Sequence, residues 1–430
     1  MSRQDAKQVI FLSAIEPSAD AHCAGLIRAL RQRRRDIEFV GLGGPRMASA
    51  GCTLINEPES TVGRAVMTYN AFAHVYYYYR LIKQIAKFLA TNKPNLVIVC
   101  DSPAFNFHVA KHAKKLGIKT LFYVAPQLWA WAPWRIGKLR KYCDKLCCIL
   151  PFEQDWFTSR GVPAEFVGNP LLDELAPSEL KKARRDYSSF NPANARIAII
   201  PGSRPAEVGT LWRPMQQIAV ILRKKYPNLI FTTVAVDEAT RGALDSTRLM
   251  GFRTSYAIDA VYQTARSCDF ALVASGSATL QVASAGCPMV IMYKTNPALW
   301  HLLGRWLVTT KYLSLVNILA GKEQRTEDPA SPHSYAEASR GQKTEDAEQR
   351  TSIRHPSSVI RLPVVPEFMP YFGSTEPIVE TIQSLFEDKT RLTQISSDLL
   401  AIVQPLAAKK AGSEVARIAT AMLTQTASRD

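Results

Sequence analysis

One loop in the second half of the chain carries residues that could hold a phosphate. The apolar residues 197–200 predict a buried strand, which residues 201–202 (Pro-Gly) break. We expect Ser203 to cap the next helix, with Glu207 in its first turn, so that free backbone N–H groups face the loop. Helix N-termini attract anions, and the Arg204 guanidinium matches a pair of phosphate oxygens. Taken alone, the pattern also fits an ordinary strand–turn–helix with a surface arginine.

A second loop favours the first interpretation. Residues 270–274 predict another strand, residues 275–279 supply hydroxyls and backbone donors, and residues 280–286 have a helical pattern. Two such loops at the carboxyl ends of parallel strands form a nucleotide-diphosphate site in a doubly wound sheet. We therefore expect the second half of the chain to be a nucleotide-binding lobe.

An acidic residue follows a predicted strand in the first half. Residues 96–100 are apolar, and Asp101 comes directly after them, at a carboxyl edge of the sheet. A carboxylate in a cleft can take a proton from a hydroxyl group as a general base. Because Pro103 comes two residues later, Asp101 could instead be a helix cap or a turn former.

Strands and helices alternate along most of the chain. The predicted strands are residues 9–13, 38–42, 96–100, 120–124, 145–150, 197–200, 229–236, 270–274 and 289–292. This alternation predicts parallel sheets with helices on both faces, and hence an α/β fold of two Rossmann-like, doubly wound lobes that face a central cleft. We expect a first lobe at 1–175, a second at 176–405 with a disordered insertion at 324–358, and a C-terminal helix at 406–430 that could cross back to the first lobe.

Composition limits the choice of partners. The 430 residues include 53 Lys+Arg and 37 Asp+Glu, a net charge of +16, which favours nucleic acid, an acidic membrane surface or a phosphorylated substrate. The sequence contains no aromatic–basic single-strand motif and no helix-turn-helix pattern, which argues against nucleic acid. The eight cysteines have no paired spacing and are expected to be reduced core residues. The polar start predicts no signal peptide, and no apolar run has membrane-spanning length, so we expect a cytoplasmic protein.

Residues 67–89 are rich in aromatic and aliphatic side chains, interrupted by Arg80, Lys83 and Lys87. Such a helix could lie at a membrane surface, with its aromatic rings at the headgroups and its cations near anionic lipid. It could also simply pack on the sheet. The two interpretations are compatible if each face of the helix has one of these roles.

The order of several motifs resembles the lipid-A-disaccharide synthase family, which are inverting glycosyltransferases of GT-B architecture. The matching runs are residues 41–47 (GLGGPRM), 101–106 (DSPAFN), 129–131 (WAW), 150–153 (LPFE), 201–204 (PGSR), 206–208 (AEV), 274–276 (ASG) and 317–321 (NILAG). The resemblance implies transfer of 2,3-diacylglucosamine from UDP to 2,3-diacylglucosamine 1-phosphate (lipid X), giving lipid A disaccharide 1-phosphate. It also implies a peripheral enzyme at the inner face of the inner membrane, without metal or cofactor. The sequence leaves the oligomeric state open, with a homodimer as one candidate.

The motifs and the two loops together supply the candidate site residues. Asp101 matches the family's essential aspartate and is the expected catalytic base. The expected donor residues are Gly202, Ser203, Arg204, Glu207, Ser275, Gly276, Ser277, Thr279, Gln281 and Asn317. The expected acceptor residues are Glu16, Ser18, Asp20, Asn106, Trp129 and Trp131.

Several positions depart from the family pattern. Ile15 and Ala19 replace glycines, Ala104 replaces an aspartate, Asn169 replaces a histidine and Gln281 replaces a glutamate. Residues with a side chain tolerate positive φ poorly, and a neutral amide cannot carry protons near pH 7. An alternative function is therefore a catalytically weakened or repurposed protein that binds lipid or nucleotide sugar at a membrane surface. A sugar-nucleotide epimerase, which also has two such lobes, is a further alternative.

Overall fold

The computed structural model describes residues 7–55, 71–294, 312–326, 363–371 and 373–427. In these ranges the chain forms two parallel β-sheets, each flanked by helices. The predicted α/β class and the two doubly wound lobes are thereby confirmed. Residues 324–326, at the start of the predicted insertion, form the end of a helix. Residues 327–358 of the insertion lie outside the described residues.

The first sheet has seven strands in the order β3-β2-β1-β4-β5-β6-β7. They are β1 (Gln8–Ser13), β2 (Ile37–Leu42), β3 (Thr53–Leu54), β4 (Leu96–Cys100), β5 (Thr120–Tyr123), β6 (Lys145–Cys148) and β7 (Ala164–Phe166). The strand order reverses between β1 and β4, which pair in parallel with Ser13 opposite Val99. The loops after β1 and β4 therefore lie side by side at the carboxyl edge, where doubly wound sheets bind ligands.

The second sheet has six strands in the order β10-β9-β8-β11-β12-β13. They are β8 (Arg196–Ile200), β9 (Ile230–Ala235), β10 (Ser255–Ile258), β11 (Phe270–Ala274), β12 (Met289–Lys294) and β13 (Glu367–Tyr371). Here the order reverses between β8 and β11, where Ile200 pairs with Val273. The two loops that we expect to bind a diphosphate follow these two strands, so they are neighbours.

Helices cover both faces of the two sheets. They are α1 (Pro17–Arg33), α2 (Pro45–Ser49), α3 (Ala71–Asn92), α4 (Pro103–Lys115), α5 (Ile136–Tyr142), α6 (Pro151–Thr158), α7 (Pro177–Lys182), α8 (Pro205–Lys225), α9 (Glu238–Ser246), α10 (Val261–Ser267), α11 (Ala278–Ser284), α12 (Leu315–Thr326), α13 (Glu376–Glu387), α14 (Lys389–Ala407) and α15 (Ala411–Ala427). Many begin with proline, whose fixed φ suits the first helical position and whose missing N–H costs nothing there. In α1, α2, α4, α6 and α8, a proline in the loop after a strand is the first helical residue.

The last helix packs on the first lobe. Val415 and Leu423 of α15 belong to the same buried cluster as Leu26 of α1. The start of α15 is fixed by Asp173 in the connection between the lobes, whose carboxylate accepts hydrogen bonds from the N–H groups of Ala411 (2.7 Å) and Gly412 (2.8 Å). The core of the first lobe is therefore completed by residues that come after the second lobe in sequence. All eight cysteines are buried and free.

Candidate active site

Asp101 and Ser102 form a sharp turn between β4 and α4. Both have left-handed φ, 54° and 43°, which is unusual for residues with a side chain. The N–H of Asp101 donates to the carbonyl of Tyr123 (3.0 Å), and Asn106 Nδ2 donates to the carbonyl of Asp101 (2.7 Å). Such backbone strain costs on the order of 1–3 kcal/mol per residue and persists only where neighbouring contacts enforce it. The turn fixes the half-buried Asp101 at the carboxyl edge of the first sheet.

The surroundings of Asp101 alter its protonation. Burial raises the pKa of Asp101 above its ordinary value, and the nearby Glu16 carboxylate raises it further, whereas Arg204 of the second lobe lowers it. A general base works best when its pKa approaches the working pH. The protonation of Asp101 is thus sensitive to charged groups from both lobes, Glu16 of the first and Arg204 of the second.

A chain of polar contacts joins the two lobes beside this turn. Ser102 Oγ donates to Glu16 Oε1 (3.0 Å), and Arg204 Nη2 lies 3.4 Å from Glu16 Oε2. The other terminal nitrogen of Arg204 lies 3.0 Å from Glu207 Oε1. Glu16 therefore contacts both the turn that holds Asp101 and the arginine of the opposite lobe.

The loop after β8 differs in one respect from the prediction. Arg204, not Ser203, precedes the first residue of α8, and the N–H groups of Ser203 and Arg204 both donate to Glu207 Oε2, at 3.2 and 3.3 Å. We had expected these N–H groups to be free for a ligand. They are bonded instead, because Glu207 caps its own helix. Gly202 has φ 113°, and a Cβ atom there would lie 2.7 Å from Glu207 Oε2. The tight turn thus requires a glycine at position 202.

The loop after β11 is more open. Gly276 and Ser277 are exposed, and a Cβ built on Gly276 would meet no other atom within 4 Å. The N–H of Ser275 donates to the carbonyl of Met292 (2.9 Å), which extends the sheet pairing by one residue. Thr279 is buried, and its hydroxyl donates to the carbonyl of Gly276 (2.7 Å). Gly276 and Ser277 are therefore accessible to a ligand, whereas Thr279 stabilises the loop.

Asn317, a predicted donor residue, is engaged in hydrogen bonds within the protein. It is fully buried, and its Nδ2 donates to the Val365 carbonyl and to Glu367 Oε2, both at 2.9 Å. Its Oδ1 accepts from the N–H groups of Val364 (2.9 Å) and Val365 (3.2 Å). Both hydrogens and both lone pairs of the amide are used in this way. Asn317 joins α12 to the segment before β13 and has no capacity left for a donor contact.

Two predicted acceptor residues also serve the backbone. The Asp20 carboxylate is buried and accepts from the N–H groups of Gly44 (2.9 Å), Met47 (3.0 Å) and Arg46 (3.0 Å), which fixes the loop before α2. Asn106 is buried and, besides holding the carbonyl of Asp101, accepts from Ser13 Oγ (2.8 Å). Neither side chain is therefore available to an acceptor in this arrangement. The sequence could not reveal this, because a polar residue near a strand end gives the same pattern whether it binds a ligand or forms hydrogen bonds within the protein.

The two predicted acceptor tryptophans lie in different environments. Trp129 is buried, donates from Nε1 to Glu153 Oε1 (2.9 Å) and packs edge-on against Phe152, with 4.8 Å between ring centroids. Burial raises the pKa of Glu153 to about 7, although three hydrogen bonds oppose this shift. Trp131, in contrast, is 43% exposed, with the Arg135 guanidinium 5.3 Å from its ring centroid. Trp129 is a packing residue, and Trp131 remains accessible.

A cavity of about 960 Å³ lies between the lobes, and we did not predict most of its lining residues. It is bounded by α1, α2, α10, α11 and the connection to α15, and Gln281 lines it together with His22, Arg46, Tyr123 and Asp259. Arg46 Nη2 and Asp259 Oδ2, from opposite lobes, lie 2.8 Å apart. Burial and the charge of Arg46 lower the pKa of His22 to about 4, so its ring is neutral near pH 7. Asp259 follows β10, a short strand that the sequence pattern did not reveal.

Comparison with known proteins decides the family. The profile described as lipid-A-disaccharide synthetase matches residues 10–355. The chain belongs to the lipid-A-disaccharide synthase family. It is 32% identical over 358 residues to the enzyme of Trichlorobacter lovleyi, covering 82% of this chain and 92% of that one. It is 36% identical over 324 residues to that of Psychromonas ingrahamii, covering 73% and 82%.

A solved structure shows the same fold. The glycotransferase of kitacinnamycin superposes with a TM-score of 0.56 at 12% identity, covering 96% of this chain and 98% of that one. The likeness agrees with the GT-B architecture implied by the motifs. As a member of its family, the present protein is a glycosyltransferase.

The departures from the family pattern at the two glycine positions cause no backbone strain. Ile15 and Ala19, which replace glycines, are buried in the core, and neither has a positive φ. Ala104 is exposed in the first turn of α4. Asn169 is buried and its Oδ1 accepts from the Leu171 N–H (3.1 Å), so it caps a short 3₁₀ turn. Ser18 is exposed at the start of α1, where an acceptor could reach it.

Proposed function

We propose that this protein transfers 2,3-diacylglucosamine from UDP to 2,3-diacylglucosamine 1-phosphate (lipid X), releasing UDP and lipid A disaccharide 1-phosphate. The membership of the family and the names of the curated relatives support this reaction. One observation of the structure carries the proposal. Glu16 contacts both Ser102, which follows Asp101 in the turn after β4, and Arg204, which follows β8, so the predicted base and the predicted arginine flank one side chain where the strand order of each sheet reverses. No observation favours a repurposed binding protein over this function.

The arrangement suits a single displacement with inversion at the anomeric carbon. Asp101 takes the proton of the acceptor hydroxyl while that oxygen bonds to the anomeric carbon, and the bond from this carbon to the diphosphate oxygen breaks. The guanidinium of Arg204, with the backbone N–H groups of the exposed residues Gly276 and Ser277, stabilises the negative charge of the leaving UDP. Because attack and departure occur on opposite faces of the sugar, one step inverts the configuration.

The variant Asp101→Asn tests the proposed base. The amide has nearly the same volume and can keep the turn, but it cannot accept the proton, so we expect UDP release to fall by a factor of about 10² to 10⁴. The assay supplies UDP-diacylglucosamine and lipid X in detergent micelles and measures UDP. Affinity for UDP, measured by calorimetry, is expected to stay within a few-fold of the wild-type value.

Asp155→Asn provides a matched control, because Asp155 is an exposed aspartate on α6 of the same lobe. We expect this variant to have wild-type turnover. If Asp101→Asn retained most of the activity, Asp101 would not be the base. If the wild-type protein bound the lipids without any turnover, the repurposed binding protein would be favoured instead.

Helix α3 supports a peripheral position at a membrane. Leu81, Ile85 and Leu89 recur every four residues and are buried against the first sheet. The opposite face exposes Tyr76 and Tyr79, which are 64% and 53% accessible, together with basic side chains. The helix therefore has one apolar face that packs on the sheet and one exposed face that carries tyrosines and basic residues. Among the described residues, no helix combines the length and apolar character needed to cross a bilayer.

The exposed face of α3 matches the chemistry of an anionic membrane surface. Arg80, Lys83 and Lys87 are exposed there, and Lys83 Nζ lies 4.6 Å from the centroid of the Tyr79 ring. Tyrosine prefers the headgroup region, and each lysine near an anionic surface contributes about 1 kcal/mol. We place the protein at the cytoplasmic face of the inner membrane, where acylated substrates would be held.

A further inference from the structure

Glu16 occupies an unusual position for a residue expected to bind the acceptor. It immediately precedes α1, in extended conformation, and its backbone carbonyl accepts the N–H of Asp20 (2.9 Å) at the start of that helix. One carboxylate oxygen accepts from Ser102 Oγ and the other faces Arg204. Both oxygens are therefore already engaged, one with each lobe.

Arg204 is equally engaged. Its Nη1 and Nη2 face the carboxylates of Glu207 and Glu16, at 3.0 and 3.4 Å, although its side chain is 56% exposed. A guanidinium forms its strongest contacts with planar pairs of oxygens, and carboxylate and phosphate compete for the same donors. In this arrangement the two glutamates provide Arg204 with the kind of oxygen that a diphosphate would offer.

We propose that Glu16 is a positioning residue that holds Arg204 while the donor site is empty and releases it to the donor diphosphate. This inference rests on the proposed function. The ion pair with Glu207 joins Arg204 to the first turn of the helix that it precedes and can persist. The pair with Glu16 crosses the cleft, so it is the one that donor binding would break. Glu16 then keeps its hydrogen bond with Ser102 and continues to fix the turn that holds Asp101.

The release of Arg204 from Glu16 to the diphosphate also affects the pKa of Asp101. Among the described residues, the charged groups that act on Asp101 are Glu16 from the start of α1 and Arg204 from the second lobe, and the Cys100 thiol lies next to it. Glu16 raises the pKa of Asp101 and Arg204 lowers it. When a diphosphate neutralises Arg204, the lowering influence weakens, and Asp101 becomes a stronger base as the donor arrives.

The variant Glu16→Gln separates this role from acceptor binding. The amide oxygen can still accept from Ser102 Oγ, but the ion pair with Arg204 is lost. Exposed ion pairs are weak, so we expect UDP, measured by calorimetry, to bind about two- to fivefold more tightly than to the wild type. The acidic limb of the kcat/KM profile is expected to move to lower pH, because a charge that raises the pKa of Asp101 has been removed.

Two further variants complete the test. Ser102→Ala removes only the hydrogen bond from Ser102 Oγ to Glu16, which fixes the turn that holds Asp101. We therefore expect a lower kcat with unchanged UDP affinity. Glu238→Gln removes a comparable exposed glutamate–arginine pair, with Arg241 on α9, and is expected to change neither quantity. If Glu16→Gln bound UDP no more tightly than the wild type, or left the pH profile unmoved, the inference would be wrong while the proposed function stood. Wild-type protein that bound no UDP would refute both.

Discussion

Replacing Asn317 by aspartate would show whether this residue holds the fold or binds the donor. The second carboxylate oxygen of Asn317→Asp would replace Nδ2, and so would face the Val365 carbonyl and Glu367 Oε2, each 2.9 Å away in the wild type. Two buried hydrogen bonds are lost, at about 1–3 kcal/mol each, and two carboxylates then face one another. We expect the free energy of unfolding of the second lobe to fall by about 3–5 kcal/mol, a large share of the 5–15 kcal/mol typical of a domain.

Urea unfolding followed by circular dichroism measures this loss, and calorimetry on the folded fraction measures UDP affinity, which is expected to match the wild type. Asn191→Asp is a suitable control, because Asn191 is exposed and its Oδ1 caps a 3₁₀ turn that a carboxylate would cap equally well. It should leave stability within about 0.5 kcal/mol of the wild-type value. A variant at 317 that kept its stability and lost UDP binding would refute our argument and restore the donor role.

Two other predictions concern pH and the membrane. The pKa of His22 is lowered to about 4 in the folded protein from 6.5, so the unfolded chain takes up the proton first and stability is lost as pH falls from about 6.5 to 4. His22→Gln should reduce this loss in the free energy of unfolding by roughly 2–3 kcal/mol, measured by urea unfolding at pH 7 and pH 4.5. If the wild type and the variant lost equal stability between these two pH values, the prediction would be contradicted. Replacing Lys83 and Lys87 together by glutamine should weaken binding to phosphatidylglycerol vesicles about 30-fold, measured by co-sedimentation, and should leave binding to neutral vesicles unchanged. The same change at the exposed residues 181–182 of α7 should have no effect, and equal losses in the two variants would argue against α3 as the contact.

The architecture could be predicted because buried parallel strands have a clear sequence pattern. The strands Leu96–Cys100 and Phe270–Ala274 were predicted with the observed bounds, since both are continuous apolar runs at the centre of a sheet. The missed strands are short or lie near sheet edges. Thr53–Leu54 has two residues, and Ser255–Ile258 is only partly buried. Such segments have too few residues to show a period.

The candidate site was harder to predict, because polar residue types do not reveal their partners. Asp101 and Arg204 could be placed, since each follows a recognisable strand. Asn317 and Asp20 satisfy buried backbone groups instead, a demand that becomes visible only when distant segments are brought together. His22 was missed because it lies on α1, a helix whose pattern is otherwise that of a packed core element.

The position of α15 has a consequence for biosynthesis. Its side chains complete the core around α1, yet the ribosome must make the whole second lobe between these two helices. Until then, the apolar face of α1 has no cover from α15, and a nascent chain with exposed apolar surface is prone to aggregate or to bind chaperones. The core of the first lobe is thus completed only after the second lobe has been synthesised, and the rate of translation through the second lobe sets the length of this delay.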